Sequence, residues 1–202
     1  MKLETFTDLK DFVDNPYFHD QRKSCLSRLD IESIDAPIVA LISDFAKLDY
    51  CFTLQSCYGH FLHNDQKDPY NIELLPVSKS ISNVEYKIAY IALCIENSKK
   101  GRFIFQNLRN IPSIDPEYIQ FGCAEWFWEK HVNSYALQVE PTRHMTKDRI
   151  SVDYSEALHI ERVRNNFFTQ LKKLIKNLTA SQKSNYLCPF LYHGRKILIG
   201  SR

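Results

Sequence analysis

Glycine is scarce in this chain, and its scarcity removes two common ways of binding nucleotides. Five glycines occur among 202 residues, at positions 59, 101, 122, 194 and 200. They form neither the G-x-G-x-x-G turn of dinucleotide-binding domains nor the G-x-x-x-x-G-K phosphate loop. The sequence therefore carries no Rossmann or P-loop signature, and a nucleotide-like cofactor has to bind without a glycine-rich cradle.

Long apolar runs and export signals are missing as well. No run approaches the roughly 18 apolar residues that a membrane-spanning helix needs. The segment 1–5 lacks a charged-then-apolar signal pattern, so we expect a cytoplasmic protein without a membrane partner. The hydrophobic fraction of 44% and the charged fraction of 25% are typical of a globular chain. The length predicts a single domain over residues 1–202.

The cysteine pattern contains no C-x-x-C pair, which leaves zinc-ribbon folds without support. Six cysteines are scattered through the chain, several of them inside apolar runs, at positions 25, 51, 57, 94, 123 and 188. In a protein expected to be cytoplasmic, such cysteines are reduced thiols and not a disulfide framework.

Basic residues concentrate near the C-terminal end. Residues 155–202 contain nine lysines and arginines against two glutamates, a net charge of +7 that leaves −5 for the other 154 residues. A basic segment on a mildly acidic body favours an anionic partner such as tRNA. A solvated helix face with lysines near its C-terminal end is the alternative.

Helical and strand patterns follow one another irregularly, which predicts an α+β fold with a mixed central sheet and packed helices. We predict helices over 6–13, 17–29, 35–48 and 154–178, with Asp35 as an N-cap. Lys99-Lys100-Gly101 is predicted to end the strand over 85–96. Residues 102–111 fit a helix, and 102–105 alone also fit a strand. The predicted strands are 50–55, 61–63 in the same sheet, 85–96, 118–128, 134–139 and 196–199.

The segment Ser56-Cys57-Tyr58-Gly59-His60 follows the first predicted strand. It places a hydroxyl, a thiol, a flexible glycine and an imidazole within five residues, and it is the most informative segment of the chain for function. Cys57 is a nucleophile if His60 faces it across the turn at Gly59, and otherwise a small buried apolar residue. A metal site made of Cys57, His60 and His63 is disfavoured, because residues three apart on a strand point to opposite faces. We predict no metal.

Two later segments carry candidate binding groups. Trp126 and Trp128 share one face of the predicted strand, where they either stack on a flat base or pack against the long helix. Gln120 and Glu125 lie at adjacent strand ends, where a partly covered carboxylate binds an amino group. Glu140, Arg143 and His144 follow the next strand, and the latter two suit a carboxylate or phosphate as well as ordinary loop composition.

The N-terminal third resembles the wybutosine-synthesis tRNA methyltransferase family over residues 18–63. The resemblance is carried by Phe18, Arg22-Lys23, Leu29-Asp30, Asp35, Ile38, Leu41-Ile42, Tyr50, Thr53 and Ser56-Cys57-x-Gly59. That family opens with an R-K segment, a helix and a strand ending in S-C-S-G-R. This chain departs from that motif at Tyr58, which replaces a serine, and at His60, which replaces the arginine. The second change weakens the expected anion contact.

The resemblance implies a compact α+β protein that uses S-adenosylmethionine to methylate a guanosine derivative in tRNA. The catalytic candidates of this chain are Ser56, Cys57 and His60. The resemblance itself requires no catalytic cysteine, and under it Cys57 is structural or lines the pocket while Ser56 helps to shape it. The candidate cofactor contacts are Ser56, Gly59, Gln120 and Glu140, and the candidate substrate contacts are Trp126, Trp128, Arg143 and His144. Two alternatives stay open: a non-catalytic RNA- or nucleotide-binding domain on the same scaffold, and a hydrolase dependent on Cys57 and His60.

Overall fold

The computed structural model describes residues 6–144 and 148–186, which form eight strands and five α-helices. The helices are α1 Phe18–Ser27, α2 Val39–Ala46, α3 Lys99–Arg109, α4 Glu125–Lys130 and α5 Tyr154–Tyr186. The strands are β1 Phe6–Thr7, β2 Cys51–Cys57, β3 His60–Leu62, β4 Asn83–Lys87, β5 Ala89–Ile95, β6 Ile119–Ala124, β7 Ser134–Val139 and β8 Arg149–Asp153. None of these helices has both the length and the apolar character needed to cross a membrane.

The strands form two sheets, and the predicted α+β class is confirmed. One sheet has five strands in the order β1-β6-β7-β5-β2, and the other has three in the order β3-β4-β8. The sheet predicted as mixed is antiparallel in every pairing of the described strands. The predicted strand over 134–139 matches β7, which is buried along its whole length.

The chain bends at two facing positions where it passes from one sheet to the other, and two strand predictions are wrong there. The strand predicted over 85–96 is divided at Ile88 into β4 and β5, which belong to different sheets. Opposite this break, Tyr58 and Gly59 separate β2 from β3, so 61–63 does not continue the first sheet as predicted. The registers Cys57↔Tyr90 and His60↔Lys87 show that the two breaks face each other.

The core lies between the sheets and helices α2 and α5. Helix α5 contacts α2, β4, β7 and β8, with Phe167, Leu171 and Ile175 fully buried. The predicted helix over 154–178 is confirmed and extends to Tyr186. The predicted helices over 17–29 and 35–48 correspond to α1 and to a short 3-10 turn, Ala36–Ile38, that leads into α2.

The predicted helix over 6–13 is wrong, because tertiary hydrogen bonds hold this segment in an extended form. The Asn133 side chain accepts from the Val13 N–H at 2.9 Å and donates to the Val13 carbonyl at 2.8 Å. The Tyr135 hydroxyl donates to the Lys10 carbonyl at 3.1 Å. These contacts satisfy backbone groups that would otherwise pair within a helix.

The predicted strand break at Lys99-Lys100-Gly101 is the first turn of α3. The Ser98 side chain caps this helix by accepting a hydrogen bond from the Gly101 N–H at 3.2 Å. The open choice over 102–111 is thereby settled as helix. The predicted 118–128 strand ends at Ala124, and β8 lies where no strand was predicted. The strand predicted over 196–199 lies outside the described residues.

Candidate functional site

A cleft of about 490 Å³ opens between the edge strand β2, the end of α1 and helix α4, and we call it the β2–α4 cleft. Its volume falls within the range of small-molecule sites, about 300–1,000 Å³. Its polar and charged lining residues are Arg28, Asp30, Ser33, Thr53, Gln55, Ser56, Lys130 and His131. Its apolar walls come mainly from Leu29, Ile34, Leu54, Trp126 and Phe127.

Helix α4 gives this cleft an aromatic wall. Phe127 is buried against Ala92 and Ala136, which anchors the helix on the sheet. Trp126 is half-buried and stacks on Phe127 with ring centroids 3.7 Å apart. The indole is thereby held at the cleft wall by a neighbour that is itself fixed in the core.

Positive charge surrounds this aromatic wall. The Lys130 ammonium lies 5.2 Å from the Trp126 ring centroid. The exposed Arg28, which follows α1, also lines the cleft. Burial lowers the pKa of His131, and the positive charges of Arg28 and Lys130 lower it further. Near neutral pH the His131 imidazole is therefore mainly uncharged, and it can donate or accept a hydrogen bond.

The three candidate catalytic residues do not share one surface. Ser56 faces the β2–α4 cleft, whereas Cys57 and His60 are 5% and 1% exposed. Adjacent residues of a strand point to opposite sides of the sheet, which accounts for the separation of Ser56 from Cys57. Cys57 meets His60 and Asp35 in a buried cluster, and the ligand atoms of the three side chains lie within 4.8 Å of one another.

The His60 ring is held at both nitrogens. Its Nδ1 lies 3.1 Å from the Asn71 carbonyl oxygen, and its Nε2 lies 3.3 Å from Asp35 Oδ2. The pKa of His60 is raised to about 10. The hydrogen bond to Asp35 is the largest cause, and the hydrogen bond to Cys57 is the second. Burial raises the pKa of Asp35, but its bonds to His60 and the Tyr58 N–H outweigh this and bring it below the usual value.

This geometry disfavours the cysteine hydrolase. A nucleophilic thiol needs access to its substrate, and Cys57 is buried. In the usual arrangement the orienting carboxylate binds one histidine nitrogen and the nucleophile the other. Here Asp35 binds Nε2, Nδ1 is taken by a backbone carbonyl, and Cys57 lies beside them without access to a substrate.

Gly59, a candidate cofactor contact, is part of the packed bend between the sheets. Its φ of +90° is one that side-chain-bearing residues rarely adopt. A Cβ at this position would lie 2.8 Å from the Ala89 Cβ. Its carbonyl accepts a hydrogen bond from the buried Arg164 guanidinium at 2.9 Å. Gly59 therefore shapes the bend and does not line the cleft.

Gln120 and Glu140, the other candidate cofactor contacts, belong to a buried network away from the cleft. The Gln120 amide donates to the Glu140 carbonyl at 2.9 Å. The Gln138 amide donates to Gln120 Oε1 at 3.2 Å and to the Glu140 carboxylate at 2.9 Å. The three residues are at most 8% exposed, and their mutual contacts tie β6 to β7.

The predicted substrate contacts are divided among different surfaces. Trp126 and Trp128 lie on α4 and not on a strand, so the prediction that they share one face is wrong. Trp128 packs edge-on against Tyr135, with Lys10 above its ring. Arg143 pairs with Glu156 of α5, and the His144 N–H donates to the Pro141 carbonyl.

Sequence reasoning missed several residues that shape these sites. Asp35 was predicted as an N-cap, but its side chain makes no cap bond and turns to His60 and Tyr58. The spacing of 25 residues between Asp35 and His60 gave no local signal of this contact. Lys130 lies four residues after Trp126, and a helix prediction there would have placed these two side chains together, with His131 next in the chain.

Comparison with known proteins leaves the function open. No protein-family model and no curated protein matches this chain. Among solved structures it is similar to the PH1069 protein from Pyrococcus horikoshii, with 15% identity and a TM-score of 0.44. That alignment covers 81% of this chain and 94% of the other. The likeness bears on neither activity nor substrate, and the resemblance to the tRNA methyltransferase family stays a prediction.

Proposed function

We propose that this protein is a cytoplasmic RNA-modifying enzyme that binds a guanosine derivative of tRNA in the β2–α4 cleft and methylates it with S-adenosylmethionine. The observation that carries the proposal is the indole of Trp126, fixed at the cleft wall with Lys130, His131 and Arg28 around it. Flat aromatic surface next to positive charge is the usual combination for single-stranded nucleic acid.

Each group of the cleft has a role in this proposal. The Trp126 ring stacks on the base, and every base offers a π-face to it. Arg28 and Lys130 neutralise the flanking phosphates. Ser56, His131 and Gln55 supply hydrogen-bond donors and acceptors for the edge of the base. Ser56 also connects this cleft with the S-C-x-G segment on which the family resemblance rests.

The methyl donor enters the proposal through that resemblance. A ring nitrogen would attack the sulfonium methyl group, so that an N–C bond forms, the S–C bond breaks and S-adenosylhomocysteine leaves; a nitrogen that carried a proton would release it to solvent. The reaction asks the protein for alignment and exclusion of water more than for a catalytic thiol. The buried position of Cys57 agrees with this requirement.

Helix α5 supplies a second positive surface for the RNA backbone. Arg162, Lys172, Lys173 and Lys176 are exposed along it. Arg164, which also counted toward the basic C-terminal segment, is fully buried and contributes no RNA contact. Arg195, Lys196 and Arg202 lie outside the described residues.

Removing the charges of the cleft is expected to weaken RNA binding in a salt-dependent way. We expect Arg28→Gln and Lys130→Gln to lower the affinity for tRNA that carries the unmethylated guanosine derivative, and each lost phosphate contact to reduce the salt slope by about 1. Fluorescence anisotropy at several salt concentrations measures both quantities. Lys67→Gln, an exposed change outside the cleft and α5, is the control. Equal losses in all three variants would contradict a specific role for the cleft.

Calorimetry with S-adenosylhomocysteine, followed by transfer of labelled methyl from S-adenosylmethionine to tRNA, separates the enzyme from its alternative. Cofactor binding and transfer support the methyltransferase. Charge-dependent tRNA binding without either one identifies a non-catalytic RNA-binding domain and removes the enzymatic part of the proposal.

A further inference from the structure

Three metal-ligand types meet at the bend between the sheets, a point that the proposed RNA site does not use. Asp35 precedes the 3-10 turn before α2, Cys57 ends β2, and His60 begins β3. One oxygen, one sulfur and one nitrogen of these side chains lie within 4.8 Å of one another. Carboxylate, thiolate and imidazole are the ligands of zinc sites in proteins.

The distances fit tetrahedral coordination after a small adjustment. Zinc bonds of about 2.0–2.3 Å place neighbouring ligand atoms roughly 3.3–3.8 Å apart. Asp35 Oδ2 and His60 Nε2 are already 3.3 Å apart. Bringing Cys57 Sγ into the same shell takes a movement of about 1 Å, within reach of side-chain rotation.

Outer contacts orient two of the three ligands. His60 Nδ1 faces the Asn71 carbonyl oxygen at 3.1 Å, which fixes the ring with Nε2 at Asp35 in the cluster that also contains Cys57. The Tyr58 N–H donates to the Asp35 carboxylate at 2.6 Å. Metal-binding histidines commonly give their second nitrogen to a backbone carbonyl in this way, and such partners tune affinity.

We propose that Asp35, Cys57 and His60 bind a zinc-class divalent cation. The ion takes the position of a proton between His60 Nε2 and its two neighbours and fastens three separate chain segments together. The Asp35 side chain is 20% exposed, so solvent reaches the cluster from that side and a water molecule completes the coordination.

Titration of the full-length, metal-stripped protein with Co²⁺ tests this site. We expect one Co²⁺ per chain, with visible bands of tetrahedral cobalt and a near-ultraviolet band from thiolate-to-metal charge transfer. Cys57→Ser is expected to abolish the charge-transfer band and to lower the affinity more than about 100-fold, beyond the effect of losing an outer-shell partner. Cys25→Ser, a change at a half-buried thiol outside the cluster, keeps both.

A second measurement needs no variant. Zinc is expected to raise the thermal midpoint of the wild-type protein relative to the same protein in a chelator, because a ligand of the folded state stabilises it. Absence of stoichiometric Co²⁺ binding to the wild type overturns the proposal, as does a charge-transfer band that survives Cys57→Ser. Either result would leave the proposal of RNA binding at the β2–α4 cleft unchanged.

Discussion

Arg164→Ala is expected to destabilise the protein by about 3–5 kcal/mol, the usual cost of breaking a buried charged cluster by removing one member. Arg164 is fully buried, and its guanidinium lies 4.3 Å from the Tyr58 ring centroid and 5.0 Å from that of Phe61. It donates to the Gly59 carbonyl at 2.9 Å and lies 3.7 Å from the Glu161 carboxylate. Alanine at this position leaves the Glu161 carboxylate and the Gly59 carbonyl without the guanidinium group.

Urea unfolding followed by circular dichroism measures this loss as a lower midpoint at an unchanged slope. Arg162→Ala is the matched control, since it removes an exposed arginine from the same helix, and we expect a change within about 0.5 kcal/mol. Arg164→Lys keeps the charge but loses the planar stacking, and should fall between the two. Similar midpoints for Arg162→Ala and Arg164→Ala would show that the cluster contributes no stability.

Gly59→Ala is expected to cost about 2–6 kcal/mol through two additive effects. A φ of +90° strains a residue that carries a Cβ, at roughly 1–3 kcal/mol. The new methyl group would also lie 2.8 Å from the Ala89 Cβ and 3.1 Å from the Tyr86 ring, an overpacking that costs about 1–3 kcal/mol.

The thermal midpoint of Gly59→Ala reports this cost directly. Gln55→Ala, an exposed change on the preceding strand, is expected to leave the midpoint nearly unchanged. Partial recovery in a Gly59→Ala, Ala89→Gly double variant would assign the clash to Ala89, because the second change removes the opposing methyl group. A Gly59→Ala midpoint equal to that of the wild type would show that the bend is not constrained as described.

Periodic patterns predicted the larger elements of this fold. The apolar seam of residues 154–178 predicted α5. The run 134–139 predicted β7 with both of its ends correct. The short elements were not predictable in the same way. The segment 6–13 has a helical pattern, but its backbone bonds to Asn133 and Tyr135 decide its form. Contacts between residues so far apart in the chain cannot be predicted from the spacing of apolar residues within the segment.

The candidate site was predicted in its parts but not in its arrangement. The turn after β2 and the tryptophan pair were both recognised as chemically informative. Strand alternation places Ser56 and Cys57 on different sides of the sheet. The sequence could not show that the bend at Gly59 sends the chain into a second sheet, where His60 meets Cys57 and Asp35. Similarly, the helical form of residues 125–130 separates Trp126 from Trp128.

The central claim is that the β2–α4 cleft binds an RNA base on Trp126, and its most direct measurement compares the two tryptophans of α4. Trp126→Ala is expected to weaken the binding of tRNA that carries the unmethylated guanosine derivative about 5- to 150-fold, equivalent to the roughly 1–3 kcal/mol of one stacked base. Trp128→Ala removes the same ring from the same helix, where it packs on Tyr135 outside the cleft, and should leave affinity within about twofold. Equal affinity of the two folded variants, measured side by side by fluorescence anisotropy, would contradict the claim.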